Sequence, residues 1–298
     1  MRAHAVGELA GEERDSQALD RGDLYRYALR VGLHLVSAGR VKRGLRYLVQ
    51  PLHYWRGLEY TLVWNEGGFG PDDRVLDVGS PKLLALYLAE KVGPEIIATD
   101  IDPYFIDEYT FLRGVRGVPE ANLRFEVQDG RRLSFRSETF NKVFAVSVVE
   151  HIPDGGDSEC MREIGRVLEP GGMCLLTVPF WPASKDEYRD PGSFYWAGSS
   201  AKRSDGRVFF QRRYSEEDLV TRLIEPSGLA VRKLEYVGER FLVGSQRELS
   251  DFLVPPTGPV HPLVARFFHT GPASSPRQLS KPLCAFVCLT KPRRGATS

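Results

Sequence analysis

Apolar residues recur at helical spacing through residues 24–58: Tyr27, Leu29, Val31, Leu33 and Leu35, then Val41, Leu45, Leu48 and Val49. This periodicity predicts two or three amphipathic helices ending near Trp64. A turn-rich hinge follows, Gly67-Gly68-Phe69-Gly70-Pro71-Asp72-Asp73. Beyond it the pattern alternates. Short apolar runs at residues 74–78, 95–99, 123–127, 142–148 and 173–178 read as strands. Residues 82–91, 104–113 and 156–168 read as helices between them. Pro103 directly precedes the second helix, and Glu169-Pro170-Gly171-Gly172 closes the third. This alternation predicts an α/β fold, a parallel sheet with helices on both faces.

After Pro179 the rhythm breaks. Residues 180–213 hold aromatics and charges without a clean period, as expected of a lid or binding loop. Ser215-Glu216-Glu217-Asp218 then opens a helix, with a capping serine and acids in its first turn, which ends before Pro226-Ser227-Gly228. Residues 229–237 and 283–290 read as strands, separated by a second irregular insertion. The expected organisation is a helical cap over residues 1–68, a core over 69–238 with its insertion at 180–213, a lid over 239–282, and a last strand and tail over 283–298.

Composition narrows the class. Of 298 residues, 42% are hydrophobic and 27% charged, which is ordinary for a soluble globular protein. The net charge of +1 supplies no global field that would select nucleic acid or membrane. Charge is uneven locally, however. Residues 24–58 contain seven Lys or Arg and no acid, so the cap either sends its cations to solvent or meets an anionic substrate, carrier or peripheral membrane face. The first 20 residues carry acids and no apolar core, unlike a secretory signal. No apolar run approaches the roughly 20 residues of a membrane span. Cys160, Cys174, Cys284 and Cys288 form no Cys-x-x-Cys pair and are expected to be buried, reduced thiols in a cytoplasmic protein.

Two of the apolar runs end in an acid: Val75-Leu76-Asp77-Val78-Gly79, and 23 residues after Asp77, Asp100 in Ala98-Thr99-Asp100-Ile101. This is the layout of a nucleoside-binding βαβ unit. The first strand brings a tight turn and backbone amides to a ligand, and the second brings a carboxylate to a ribose diol. Three further segments follow in order: Phe125-Glu126-Val127-Gln128-Asp129-Gly130, then residues 140–152 with Ser147-Val148-Val149-Glu150-His151, then Arg166-Val167-Leu168-Glu169-Pro170-Gly171-Gly172. Together these make residues 70–238 resemble a class I S-adenosylmethionine-dependent methyltransferase of the type 11-like group.

The resemblance implies a Rossmann-like doubly wound sheet of seven strands, the last antiparallel. It implies S-adenosylmethionine as cofactor, with S-adenosylhomocysteine as product. Asp77, Gly79 and Ser80 would form the turn around the methionine half. Asp100 would accept the ribose hydroxyls, Ile101 would cover one adenine face, and Asp129 with Gly130 would lie beside the adenine amino group. Ser147 would contact the methionine part. Plainer roles stand beside these: Asp77 and Asp129 as turn acids, and Asp100 as a helix cap, although Asp102 before Pro103 is the better cap.

The sequence departs from the family where its turn normally holds three glycines. Pro81 and Leu83 occupy the second and third positions, and Pro81 donates no amide. A non-catalytic accessory protein is therefore an alternative to an enzyme. Methyl transfer relies mainly on alignment, with a base where the nucleophile holds a tightly bound proton. His151, after the fourth strand, is the candidate base or substrate contact. His53, Tyr54, Tyr188 and His269 rank below it. Glu150-His151 is part of a metal-binding Glu-x-x-Glu-His pattern in some relatives, but Ser147 stands at its first position, so no metal is expected. The expected acceptor is an O, N or C nucleophile on a small or medium-sized molecule, in specialised metabolism, enclosed by Trp181, Tyr188, Phe194, Tyr195 and Trp196. An RNA or protein methyltransferase is the third alternative, although no RNA-binding module is recognisable.

Overall fold

The computed structural model describes residues 18–190, 205–240 and 260–294. Among the described residues the central sheet has eight strands, in the order β3 (Leu123–Val127), β2 (Glu95–Asp100), β1 (Arg74–Val78), β4 (Phe140–Val146), β5 (Leu168–Pro179), β10 (Lys281–Thr290), β8 (Ala230–Glu239) and β9 (His269–Ala273). β1 (Arg74–Val78) lies parallel to β2 (Glu95–Asp100) and β4 (Phe140–Val146). β3 (Leu123–Val127) and β5 (Leu168–Pro179) extend the parallel region on either side. β10 (Lys281–Thr290) runs antiparallel between β5 and β8 (Ala230–Glu239). The seven expected strands are therefore present, the last of them antiparallel, and β9 (His269–Ala273) adds an eighth at the edge of β8.

Strand order reverses between β1 and β4, and such a switch point opens a crevice at the carboxyl ends of the strands. Helices α4 (Leu83–Lys91), α5 (Pro103–Arg116) and α6 (Gly156–Val167) make the crossovers. β1 and β4 are buried almost throughout, which is why both read as continuous apolar runs rather than alternating ones. Asp102 caps α5, accepting from the Tyr104 amide at 2.9 Å, with Pro103 in its first turn.

The cap consists of α1 (Arg21–Ser37), α2 (Val41–Val49) and α3 (Arg56–Gly67). On α1, Leu24, Tyr27, Ala28, Val31 and Leu35 are fully buried in one cluster with Val75, Leu84 and Phe144 of the core. α2 behaves differently. Only Gly44 is buried, against α1, while Val41, Leu45 and Val49 face solvent. Some cap cations turn inward: Arg43 pairs with Glu108, and Arg40 stands 4.5 Å over the Phe111 ring. No helix among the described residues is long and apolar enough to cross a membrane. The four cysteines are buried and unpaired with one another.

The first insertion is not wholly irregular. β6 (Lys185–Arg189) and β7 (Val208–Arg213) pair as an antiparallel hairpin. Of the expected lid aromatics, Phe194, Tyr195 and Trp196 lie outside the described residues, as do residues 241–259 of the second insertion. Ser215 caps the next helical run as expected, accepting from the Asp218 amide at 3.2 Å.

Candidate active site

Backbone hydrogen bonds draw the carboxyl ends of five strands, β1 to β5, to one edge. The Gly79 amide donates to the Thr99 carbonyl at 2.9 Å, the Gln128 amide to Asp100 at 2.9 Å, and the Ser147 amide to Thr177 at 3.0 Å. Gly79 sits at φ +66°, and a Cβ there would stand 2.7 Å from Val148 Cγ1, so both backbone sign and space require glycine. Ser147 also has positive φ, +49°, unusual for a residue with a side chain. The Ser80 hydroxyl accepts from the Val146 amide at 2.8 Å and locks the β1 turn to β4.

Asp77 does not present a free carboxylate to this edge. It is 0% exposed, and Oδ1 accepts from the Ser80 amide at 3.1 Å. Lys82, itself 1% exposed, stands between the two strand-end acids. Its ammonium donates to the Thr99 carbonyl at 2.6 Å and lies 3.5 Å from Asp77 Oδ2 and 4.0 Å from Asp100 Oδ2. Burial pushes the Asp77 pKa up to about 6 despite Lys82 and the Ser80 hydrogen bonds. The substituted turn thus has a structural logic. The Pro81 carbonyl accepts from the Tyr60 hydroxyl at 3.1 Å, Leu83 is buried in the core, and Lys82 between them answers the buried carboxylate. Periodicity gave no sign of Lys82; its only signal was a cation standing between the two positions that lost glycine.

Asp100 differs from Asp77. Its side chain is 17% exposed, Oδ1 accepts from the Asp102 amide at 3.1 Å, and burial raises its pKa while Lys82 opposes the rise. Ile101 beside it is exposed. Asp129 is clamped by its neighbour: Arg131 donates to it from Nη2 at 2.7 Å, from Nε, and from its backbone amide. Those hydrogen bonds hold the Asp129 pKa down. Gly130 packs close enough that a Cβ would meet Cys160 Sγ at 3.1 Å. For a nucleoside cofactor the arrangement fits: a partly exposed carboxylate with an exposed aliphatic neighbour, flanked by two close-packed glycines. Asp77 acts as an anchor of the turn instead of an open acceptor.

A cavity of about 450 Å³ adjoins Ser147, lined by α3, the β4 end and the β6–β7 hairpin. Glu59 on α3 organises its floor. One carboxylate oxygen accepts from the Ser147 hydroxyl and from Thr177 Oγ1 at 3.0 Å, and the other from Arg56 Nη1 at 2.6 Å. Glu150 is 1% exposed, and its Oε2 meets no hydrogen-bond partner among the described residues. Burial raises its pKa to about 8, with nearby Glu59 adding to the rise and Arg56 opposing it. The Glu150 carboxyl is therefore largely protonated at neutral pH.

His151 lines the same cavity. Nδ1 lies 2.6 Å from the Phe210 carbonyl, which requires Nδ1 to carry the proton, and Nε2 lies 3.7 Å from Glu150 Oε1. Burial, with Arg56 and Arg189 nearby, pushes its pKa down to about 4, so the ring is neutral. The carbonyl bond is the structural role open to this residue, and it leaves Nε2 as an acceptor. His53 also lines the cavity. Tyr54 and His269 pack against each other with ring centroids 4.3 Å apart and are buried. Tyr188 packs on Phe209 within the hairpin. Among the described residues, no group of three or more His, Cys, Asp or Glu is placed to hold a metal ion.

Sequence reasoning missed Glu59, Arg56, Arg189 and Arg213 as lining groups. Glu59 had left a trace: it is the first acid after the acid-free stretch, set in an apolar helix.

Residues 76–176 match the family model described as a methyltransferase domain. A 2-methyl-6-phytyl-1,4-hydroquinone methyltransferase of Synechocystis is 30% identical over 152 residues, covering 49% of this chain and 41% of that protein. Methyltransferase GfsG of Streptomyces halstedii is 29% identical over 104 residues, 35% of this chain and 36% of that protein. The chain thus spans roughly two-fifths of the length of these curated relatives. A methyltransferase structure from Methanosarcina mazei aligns with TM-score 0.52 at 17% identity, covering 78% of this chain and 98% of that one. The (4+2)-cyclase SpnF aligns with TM-score 0.52 at 18% identity, covering 92% and 96%. At such identities these two share the fold. With the strand order and the ordered motifs, the family match makes residues 76–176 similar to a methyltransferase domain.

Proposed function

We propose that the protein transfers a methyl group from S-adenosylmethionine to an O, N or C nucleophile of a small or medium-sized molecule. The observation that carries this is the position of Ser147. Its backbone ends β4 at the switch-point edge beside Gly79, and its side chain lines the 450 Å³ cavity. A cofactor on one side and an acceptor on the other would meet there. The curated methyltransferases that the chain resembles support the donor. The four buried thiols suit a reducing cytoplasm.

When bound, the cofactor supplies a methyl group already activated on a sulfonium. The chain's own contribution is placement and proton handling. Asp100 would accept the ribose hydroxyls, Ile101 would cover adenine, and Gly79, Ser80, Gly130 and Ser147 would admit or contact the remainder. Asp77 and Asp129 would act through the turns they hold. His151 Nε2 is a neutral acceptor within the cavity, able to take a proton from an acceptor molecule or to orient it. Its low basicity makes orientation the larger part of its role.

Calorimetry with S-adenosylhomocysteine provides the test. The wild-type protein should bind it, and Asp100→Ala should weaken binding by about 1.5–3 kcal/mol, the worth of hydrogen bonds to a charged group. A second reading is an accessory protein that kept the fold without the chemistry. The wedge of Lys82 between Asp77 and Asp100 favours it, and a shared fold does not fix function. Absence of heat at millimolar ligand would select that second reading.

A further inference from the structure

The cap presents a face that methyl transfer does not use. Val41, Leu45 and Val49 recur at every fourth position of α2, along one stripe, and are 50%, 50% and 39% exposed. Leu33 of α1 is 57% exposed. The two helices meet on the glycines beside these leucines: a Cβ on Gly44 would stand 2.6 Å from the Gly32 carbonyl oxygen and 2.5 Å from Val36 Cγ2. Leu33 and Leu45 therefore flank one contact, on the side away from the core that Leu24, Tyr27 and Val31 enter. The outer face of this helical pair is a strip of branched aliphatic side chains. Its charge is one-sided, because residues 24–58 hold seven Lys or Arg and no acid. Several of those cations are engaged: Arg26 with Asp23, Arg43 with Glu108, Arg56 with Glu59, Arg40 over the Phe111 ring, and Arg46 as well. Arg30 and Lys42 are exposed, and among the described residues neither side chain makes an ion pair or a hydrogen bond. Each precedes an exposed leucine by three residues, Arg30 before Leu33 and Lys42 before Leu45, so each borders the apolar strip.

We propose that the outer face of α1 and α2 docks on the surface of an anionic lipid bilayer, with Leu33, Val41, Leu45 and Val49 entering the headgroup boundary and Arg30 and Lys42 meeting the lipid phosphates. A helix that lies in such an interface needs this combination of exposed apolar area and bordering cations, and the segment brings no acid of its own to repel the surface. The face suits a protein partner less well. Its apolar members are Leu and Val, which are poor in the aromatic anchors that dominate binding between proteins. Its position has a consequence for the site. α2 runs along α5 towards the start of that helix, with Arg40 over Phe111 and Arg43 on Glu108. It therefore ends towards the strand edge that holds Asp100, and Val49 precedes the cavity-lining His53 by four residues. A docked protein holds its cavity close to the bilayer. The inference is independent of the reaction proposed above.

The experiment is sedimentation of the full chain with vesicles of phosphatidylcholine alone and of phosphatidylcholine mixed with phosphatidylglycerol. The protein should pellet with the anionic vesicles and stay in solution with the neutral ones, and added salt should weaken the binding. Leu45→Glu should weaken it at least about tenfold. Lys42→Gln and Arg30→Gln should each weaken it about fivefold, the effect of one cation near an anionic surface, and Lys42→Arg should bind as the wild type does. All of these exchange exposed side chains, so the melting temperatures should stay at the wild-type value. Equal binding to both kinds of vesicle, no binding to either, or undiminished binding in Leu45→Glu or in Lys42→Gln would each overturn the proposal. Other occupants of the face give distinct results. A second copy of the chain would appear as a dimer in sedimentation velocity that Leu45→Glu dissociates. An acidic protein partner would be mimicked by soluble polyglutamate binding as tightly as the vesicles do. Either of those results also overturns the proposal.

Discussion

Lys82 and Glu150 occupy opposite ends of one electrostatic problem, how to keep ionisable groups inside an apolar sheet edge. Lys82 solves it with a countercharge. Replacing it by Met would leave Asp77 buried without its cation, and removal of one partner from a buried pair costs about 3–5 kcal/mol. Lys82→Met should lose stability on that scale in denaturant melts. Asp77→Asn added to it should recover a large part, because the orphaned charge is then gone. A double variant no more stable than Lys82→Met would mean that Lys82 acts through its Thr99 bond instead. Glu150 solves the problem by keeping its proton. Its folded pKa, about 8, exceeds the unfolded value, so the folded protein holds the extra proton between those limits. Its contribution to stability is present at low pH and is lost as pH rises from about 4.5 to about 8. Glu150→Gln cannot ionise, so its melting temperature relative to wild type should climb across that window and then level off. A difference independent of pH would show that Glu150 is not protonated in the folded protein. Asp77, Gly79 and Asp100 could be located from sequence because a carboxylate that closes an apolar run is costly to bury and so marks a strand end with a task. Lys82 and Glu150 could not, because their significance lies in which strand end each one folds back upon.

Elements were legible in proportion to how far they bury themselves. β1, β2, β3 and helices α4 to α6 lie within a few residues of their expected limits, since each presents its apolar pattern to the sheet or is its interior. Where tertiary partners decide, sequence was silent. The helical run after Ser215 is wound as a π-helix over Leu219–Ile224. Pro226 has no N–H to offer the Arg222 carbonyl four residues back, and Ser158 Oγ donates to that carbonyl at 2.8 Å instead. The β6–β7 hairpin lacks a clean alternating pattern and takes its order from cross-strand pairs such as Arg213–Glu187 and Arg212–Asp186. The contact between α6 and this helical run gives a test of packing at the same scale. A Cβ on Gly165 would stand 1.9 Å from the Ser227 carbonyl oxygen, a backbone atom that cannot swing aside. Gly165→Ala should destabilise by about 1–3 kcal/mol through overpacking. Gly114→Ala, on α5 with nothing within 4 Å of the new methyl, should instead be neutral or stabilising by up to about 1 kcal/mol. Similar effects of the two substitutions on the denaturant midpoint would show that the α6 contact has room for a methyl group.

For the molecule as a whole, the sequence suggests a boundary near residue 68, where a basic, acid-free segment meets the alternating core. That boundary marks a change of composition, and the packing runs across it. Leu24, Tyr27, Ala28, Val31 and Leu35 of α1 share one buried cluster with Val75, Leu84 and Phe144. The Tyr27 hydroxyl donates to Glu90 at 2.6 Å, and Arg116 reaches the same carboxylate from α5. Glu59 of α3 holds Ser147 and Thr177 at the ends of β4 and β5. Burial stabilises by about 1.5–3 kcal/mol per large aliphatic or aromatic side chain. The α1 side chains alone therefore contribute an amount comparable to the roughly 5–15 kcal/mol by which whole domains are stable. A chain beginning at residue 69 would expose the face of the sheet they cover and would leave the cavity without Arg56 and Glu59. We expect that truncated chain to show no cooperative thermal transition, whereas the full chain should melt in one step with coincident near- and far-ultraviolet dichroism signals. A sharp transition from the truncated protein, together with retained S-adenosylhomocysteine binding, would mean that the cap is a separable lid and that the donor crevice is complete without it. Loss of both would establish that the segment whose charge pattern set it apart is part of the core that holds donor and acceptor sides in register.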